Sequence, residues 1–559
     1  MSYDLKRKQQ QLGIIDFQFY CPKYYVDQIE LEEHDKASKG KYTIGLGQNR
    51  MSFVKDNEDI NSICLTVLDK LLTRNKISPL KVGRLEVGTE TFIDKSKSIK
   101  THLMELFRSS GNFDIEGVTT SNACYGGTNA LLNSLNWMHS DYYDGRYAIV
   151  ICGDIAIYSK GNARPTGGCG SIAILLGPNA CIEIERNRST YMNNFYDFYK
   201  PDPTKEFPTV DGGLSIDIYF KALEYCTGKL FEKYQENENK GYNYTNTLND
   251  FDYFCFHSPF SKMVEKAFYQ LVSYDLTNNT LFLKDILYSI NNKTENESLN
   301  INQNKNPNKN KKYLGVDLTK EKENKIFEKI LDKMEKRKKD FKLEAELFKE
   351  ISGLFKPVFQ DIVEPSLKIG KNTGNIYTGS LFIGLISLIL DENIDLYGKR
   401  VMMFSYGSGC AATLFSLKFN AKNLGDYKEI RKTNFDVMDN LLNKRIKVKP
   451  IEYENLQAKK ERLYLSNNYI PENNEFLNDL FDGTYYLEGV DKMWRRTYAK
   501  KVNKEISLNG KINLSFNKLS FNDNDNDKLN IKDNANDKNI KNTLGRIMLI
   551  RNQLKSKQD

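Results

Sequence analysis

Gly168-Cys169-Gly170-Ser171-Ile172-Ala173 and Gly407-Ser408-Gly409-Cys410-Ala411-Ala412 are two versions of one pattern. Each is a G-x-G turn that runs into apolar residues, Ile174-Leu175-Leu176 after the first and Thr413-Leu414-Phe415 after the second. A pattern that returns far along a chain points to two similar halves. A chance match of two glycine-rich stretches accounts for the pair equally well. Upstream of them stand two short, continuous apolar runs, Tyr147–Ile151 (YAIVI) and Val401–Phe404 (VMMF). Runs of this kind suit strands covered by helices on both faces. They alternate with stretches of helical periodicity, so the predicted class is α/β.

The 559 residues allow two to four domains or one large bipartite one. With 40% hydrophobic and 28% charged residues, the chain can bury a sizeable core. A net charge of +8 is modest for this length, and no nucleic-acid-binding module accompanies it. The nine cysteines are scattered, with no C-x-x-C pair and no zinc-like spacing. Lys6-Arg7-Lys8 is not followed by an apolar segment, and no apolar run nears the ~20 residues of a membrane span. The expectation is a cytoplasmic protein with reduced thiols, no metal and no membrane contact. Asn291–Lys312 and Asn522–Asn542 are rich in Asn, Lys and Asp and offer little to bury. Between them, Lys320–Phe355 carries Ile326, Ile330, Leu331 and Met334 at helical spacing and reads as one surface helix.

Three residues sit where chemistry would be placed. Cys124, in SNACYGGT, follows an extended approach and precedes Ala130, Leu131, Leu135 and Met138 on one helical face. A thiol at a helix N-terminus is favoured as thiolate, and Gly126-Gly127 would let a substrate approach the backbone. The setting is like a nucleophile elbow, although most free cysteines are simply small buried hydrophobes. His257 ends the predicted strand Phe251–Phe256, just before Ser258-Pro259, where open α/β sheets bind ligands. A core histidine bonded to a carbonyl is the plainer reading. Glu90 lies beyond Gly88, where the strand of Leu85-Glu86-Val87 should stop. A carboxyl in a closed site can act as general acid or base, though carboxylates at strand ends are usually solvated. Lys262 and Lys266 share one face of a predicted helix, Ser261–Leu271, as solvated charges or as partners of an anion such as phosphate.

Taken together, these segments resemble hydroxymethylglutaryl-CoA synthase. The matching stretches are YTIGLGQ near 43–48, GRLEVGTETFIDKSKSIKT, NACYGGTNA, DGRYAIV, GNARPTGG, YDFYKPD, DGGLSIDIY, FHSPFSKMVEKA, GNIYTGS and SYGSGCAA, with a fainter RRTYAKK at 495–501. They run in order from about Tyr42 to Ser416, leaving out the Asn/Lys insert and the tail. The resemblance implies a thiolase-like five-layered αβαβα sandwich of two similar halves. These would be 8–180, with the nucleophile, and 181–505, with an insert at about 288–313, followed by a tail over 506–559. It implies a homodimer that condenses acetyl-CoA with acetoacetyl-CoA and water to (S)-3-hydroxy-3-methylglutaryl-CoA and CoA. CoA thioesters are its substrates and it needs no further cofactor. By the resemblance, Cys124 carries the acetyl group, Glu90 is the general acid/base, and His257 polarises the acetoacetyl ketone. Asn162, Thr166, Ser215, Lys262, Lys266, Asn375 and Ser408 fall on substrate- or CoA-contacting positions.

Three other readings compete. A thiolase or ketoacyl synthase shares the fold but pairs its cysteine with a different set, and the Glu90 motif favours the synthase. Gly407-x-Gly409-x-x-Ala412 admits a dinucleotide-binding oxidoreductase, without the fitting acidic residue. An inactive scaffold relative is disfavoured by intact Cys124, Glu90 and His257. The want of a leader points to the cytoplasmic mevalonate route to isoprenoids and sterols rather than to ketone bodies.

Overall fold

The structure is a computed structural model that describes residues 11–238, 247–279, 283–284, 287–288, 291, 312–336, 345–420 and 426–502. Nearly all of the Asn/Lys insert, and the whole tail over 506–559, lie outside the described residues.

Among the described residues, nine strands form the main sheet: β1 (Leu12–Tyr20), β2 (Val82–Gly88), β3 (Thr119–Thr120), β4 (Tyr147–Ala156), β5 (Gly168–Pro178), β6 (Ile182–Met192), β7 (Tyr253–Phe256), β8 (Arg400–Gly407) and β9 (Ala411–Phe419). Their order is β7-β8-β9-β6-β1-β5-β4-β2-β3. The two ends of this order repeat each other. β2 runs parallel to β4, β4 antiparallel to β5, and β5 antiparallel to β1. Likewise β7 runs parallel to β8, β8 antiparallel to β9, and β9 antiparallel to β6. A short register at Gly13 and Ile14 against Glu183 and Ile182 joins the two sets. The two glycine patterns occupy equivalent places, at the start of β5 and in the turn from β8 into β9. That second placement disposes of the dinucleotide reading, because Gly407–Ala412 joins antiparallel strands instead of opening a helix.

The strands are apolar on both faces, as YAIVI and VMMF predict. Ala148, Val150 and Cys152 of β4 face one core, and Ile149 and Ile151 face another. Val401 and Met403 of β8 share the first core, while Met402 and Phe404 enter a third. The helices α1 (Ile60–Arg74), α2 (Gly126–His139), α3 (Gly212–Glu238), α4 (Ser261–Asn278), α5 (Glu321–Lys336), α6 (Ala345–Ile362) and α7 (Ser380–Leu390) fill the layers. Helix α1 covers β1, β4 and β5. Its start is fixed locally: Asp59 accepts from Ser62 N–H, and the Ser62 hydroxyl accepts from Asp59 N–H, each at 2.9 Å. Helices α3 and α4 cover the other half's outer face. Between the two strand sets lie α2 and α7. All eleven residues of α7 (SLFIGLISLIL) are buried, and each large apolar one contributes about 1.5–3 kcal/mol. This is the five-layered thiolase-like sandwich.

Lys320–Phe355, read from sequence as one helix, contains all of α5 and the first part of a second helix, α6. Ile330, Leu331 and Met334 are buried against the α3–α4 layer, so this segment extends the core.

The glycines around Cys124 serve packing. A Cβ on Gly127 would lie 2.5 Å from Thr378 O and 2.7 Å from Cys152 Sγ. One on Gly88 would lie 2.4 Å from both N and Cα of Gly127. The expectation that Gly126-Gly127 makes room for substrate is therefore corrected: Gly127 admits protein, and brings the end of β2 against the first turn of α2. Gly88→Ala is expected to cost about 1–3 kcal/mol by overpacking, measured as a lower urea midpoint at unchanged m-value.

Candidate active site

The parallel strands deliver their side chains to one end of the sandwich. Glu90 stands two residues beyond β2, Cys124 between β3 and α2, Asp154 near the end of β4, His257 directly after β7 and Ser408 directly after β8. Asn375, in the loop before α7, is the counterpart of the Cys124 loop before α2. The carboxyl ends of parallel strands are where α/β sheets bind ligands.

Cys124 adopts φ +56°, in the left-handed region. A non-glycine residue there is strained, and such strain clusters at functional turns. Its N–H donates to Glu90 Oε2 at 3.0 Å. Glu90 is nearly buried, and its N–H donates to Asp154 Oδ1 at 2.8 Å. Asp154 is fully buried and organises the whole corner. Its Oδ1 also accepts from the Thr89 hydroxyl and from both N–H and hydroxyl of Thr91. Its Oδ2 accepts from N–H and hydroxyl of Thr378, so this carboxylate ties the Glu90 loop to the loop before α7.

Burial, opposed by Lys200 and reinforced by Asp154, pushes the Glu90 carboxyl up to about 7. Burial and the neighbouring Glu90 and Asp154 hold the Cys124 thiol well above the ordinary range. The thiolate expected from the helix N-terminus is thus corrected. Cys124 does precede α2, but desolvation and two nearby carboxyls outweigh the dipole. His257 is buried and drops to about 3 through that burial alone, so it is a neutral imidazole at pH 7. The main-chain N–H of His257 donates to Phe404 O at 2.7 Å, and its main-chain carbonyl accepts from the Tyr219 hydroxyl at 2.9 Å.

A cavity of about 650 Å³ opens at this corner, lined by Cys124, His257, Asn162, Thr166, Ser215, Asn375 and Ser408 among others. Glu90 joins it through the Cys124 amide. The Asn375 Oδ1 accepts from Tyr377 N–H at 2.8 Å and from the Ser380 hydroxyl at 2.6 Å, which leaves its NH2 as the end for a ligand. The Ser215 hydroxyl donates to Asp197 Oδ2 at 2.9 Å, the Thr166 hydroxyl to Ala163 O at 2.7 Å, and Asn162 Oδ1 accepts from Lys41 Nζ at 3.0 Å. Lys262 and Lys266 are not in the lining: Lys262 pairs with Glu265 at 2.6 Å, and Lys266 is exposed. Their helix turns Met263 inward instead. Sequence reasoning passed over Asp154, Lys200, Tyr158 and Tyr377. Lys200 lies in the noted YDFYKPD stretch, but nothing local marks it. His34, Asp35 and Glu454 also come together, with the Arg164 guanidinium bonded to both carboxylates.

Comparison with known proteins shows the family of the chain. The family described as "Hydroxymethylglutaryl-coenzyme A synthase N terminal" matches residues 8–181, and its C-terminal counterpart matches 182–325 and 311–501. The chain belongs to the hydroxymethylglutaryl-CoA synthase family. It is 42% identical over 495 residues to the mitochondrial hydroxymethylglutaryl-CoA synthase of Rattus norvegicus, covering 88% of this chain and 89% of that one. It is 42% identical over 496 residues to the cytoplasmic enzyme of Homo sapiens, covering 88% and 87%. Among solved structures, MvaS in complex with 3-hydroxy-3-methylglutaryl coenzyme A aligns with a TM-score of 0.65 at 25% identity, over 88% of this chain and all of that one. Hydroxymethylglutaryl-CoA synthases condense acetyl-CoA with acetoacetyl-CoA to give hydroxymethylglutaryl-CoA.

Proposed function

We propose that this chain carries out its family's condensation through an acetyl thioester on Cys124, with Glu90 as acid/base. The observation that carries the reading is the Cys124–Glu90 contact at the rim of a cavity that His257 also lines. The Cys124 sulfur attacks the acetyl carbonyl, CoA leaves, and the thiol proton ends on the CoA sulfur. The Glu90 carboxylate then takes a proton from the acetyl methyl group. The resulting carbanion attacks the ketone carbon of acetoacetyl-CoA, and the alkoxide that forms is protonated by Glu90. Water cleaves the Cys124 thioester, releasing (S)-3-hydroxy-3-methylglutaryl-CoA and regenerating the thiol. These steps balance with protein groups and water, so no cofactor enters the proposal.

The protonation states suit those roles. A general acid/base works best with a pKa near the working pH, and Glu90 lies at about 7. A neutral His257 offers a hydrogen bond, not a full proton, to the ketone oxygen as charge develops there. The free NH2 of Asn375 is a second donor facing the cavity. Lys160 at the lining is the cation assigned first to the phosphates of CoA; Lys262 and Lys266 lie outside the lining, on the helix that gives it Met263, and are assigned to the same phosphates by the resemblance alone.

A homodimer is part of the same proposal. β3 ends the sheet, and the exposed Phe113 and Val118 stand just before it, a surface that pairing would cover. So is a cytoplasmic place in the mevalonate route to isoprenoids and sterols. All nine cysteines are free, as in a reducing compartment, and no described helix is long and apolar enough to cross a membrane.

The test is a steady-state assay with both thioesters, following hydroxymethylglutaryl-CoA by mass spectrometry. Wild type should form it only when both are present. His257→Ala should still become acetylated by acetyl-CoA, but should condense about 10²–10³-fold more slowly, the cost of one missing oxyanion donor. Equal loss of acetylation and condensation in this variant would remove His257 from the ketone.

A further inference from the structure

Glu90 has one oxygen that the mechanism leaves unexplained. Oε2 accepts from the Cys124 amide, but Oε1 is buried without a hydrogen-bond partner among the described residues. A buried, unpaired carboxylate oxygen is costly. Lys200 Nζ stands 3.7 Å from it, within ion-pair range but beyond a hydrogen bond. Lys200 follows the short strand Phe198–Tyr199, which pairs with Thr209–Val210, and its side chain is 25% exposed. The ammonium lies 5.3 Å above the ring of Tyr377, a residue at φ +44°. Phe198 packs edge-on against that same ring, 5.8 Å between centroids, and itself lines the cavity. The lysine is thus held between an aromatic face and the unpaired oxygen of the base.

We propose that Lys200 is a positioning residue for the base, one that keeps the Glu90 carboxylate charged and aimed between proton transfers. The inference rests on Glu90 being the base. In each turnover Glu90 accepts a proton from carbon and must give it up again. Burial and Asp154 both oppose the return to carboxylate, whereas Lys200 favours it. The Cys124 turn presents its amide to Glu90, and the hydroxyls of Tyr158 and Tyr377 also lie close enough to interact with it. From a place 3.7 Å from Oε1 and 5.3 Å from the Tyr377 ring, the ammonium favours the ionised carboxylate. A cation at this distance moves a carboxyl by about 1–3 pH units.

The experiment is the pH dependence of kcat and of KM for both thioesters in wild type, Lys200→Met, Lys200→Arg and Glu90→Gln. Each variant is first shown to be folded by its thermal transition. Losing the cation makes Glu90 harder to ionise, so the acid limb moves to higher pH. In Lys200→Met it should rise by at least about one unit, lowering kcat about fivefold or more at pH 7 and recovering toward pH 9. KM should stay within about twofold, and Lys200→Arg should restore the wild-type profile. A loss equal at every pH, a loss carried by KM, or no rescue by arginine overturns the inference. If Glu90→Gln turns over normally, the base assignment itself fails and the inference falls with it.

Discussion

Cys124→Ala is expected to lose turnover by at least about 10⁴-fold, as nucleophile removals do, and to take up no acetyl group from acetyl-CoA. Wild-type protein incubated with acetyl-CoA alone should gain the mass of one acetyl group, and peptide mapping should place it at Cys124. The expectation is specific because the other eight cysteines are buried and none lines the cavity. The resting thiol is protonated, held up by burial and by the nearby Glu90 and Asp154. General thiol reagents should therefore react slowly with Cys124, because the thiolate is the nucleophile. An acetyl adduct that persists in Cys124→Ala, or none on folded wild type, would end the thioester mechanism.

Glu90→Gln separates the two halves of the reaction. Glutamine keeps an oxygen for the Cys124 amide but cannot take a proton. Acetyl-Cys124 should still form, while condensation falls by about 10²–10⁴-fold, the usual worth of a general base. Exchange of the acetyl methyl hydrogens in deuterated water should be lost with it. In wild type, a base at about 7 makes the condensation rate rise with pH through that value, since only the carboxylate abstracts a proton. A flat profile from pH 5.5 to 8.5, or undiminished exchange in Glu90→Gln, would assign the proton to another group.

Much of the sandwich is legible locally. Continuous apolar runs give β4 and β8, and Ser258-Pro259 marks the end of the strand that His257 follows. The site is legible to the same depth: Glu90, Cys124 and His257 can each be placed at an element's end from neighbouring residues alone. Lys262 and Lys266 show where this stops. Their i,i+4 spacing establishes a shared helix face, but not which face meets the cavity, and the fold turns Met263 inward.

What the sequence alone determined is therefore the kind of each element, and which reactive residues stand where elements end. Only the tertiary structure decided their state. Glu90 lies near neutrality, Cys124 stays a thiol and His257 stays neutral because segments far apart in the chain exclude water from them. Asp154 binds the Glu90 loop to Thr378, and Lys200 stands within ion-pair range of Glu90 Oε1. Desolvation and charge pairing depend on distance in space and fall off over a few ångströms. Local periodicity carries no record of which distant residues will come that close.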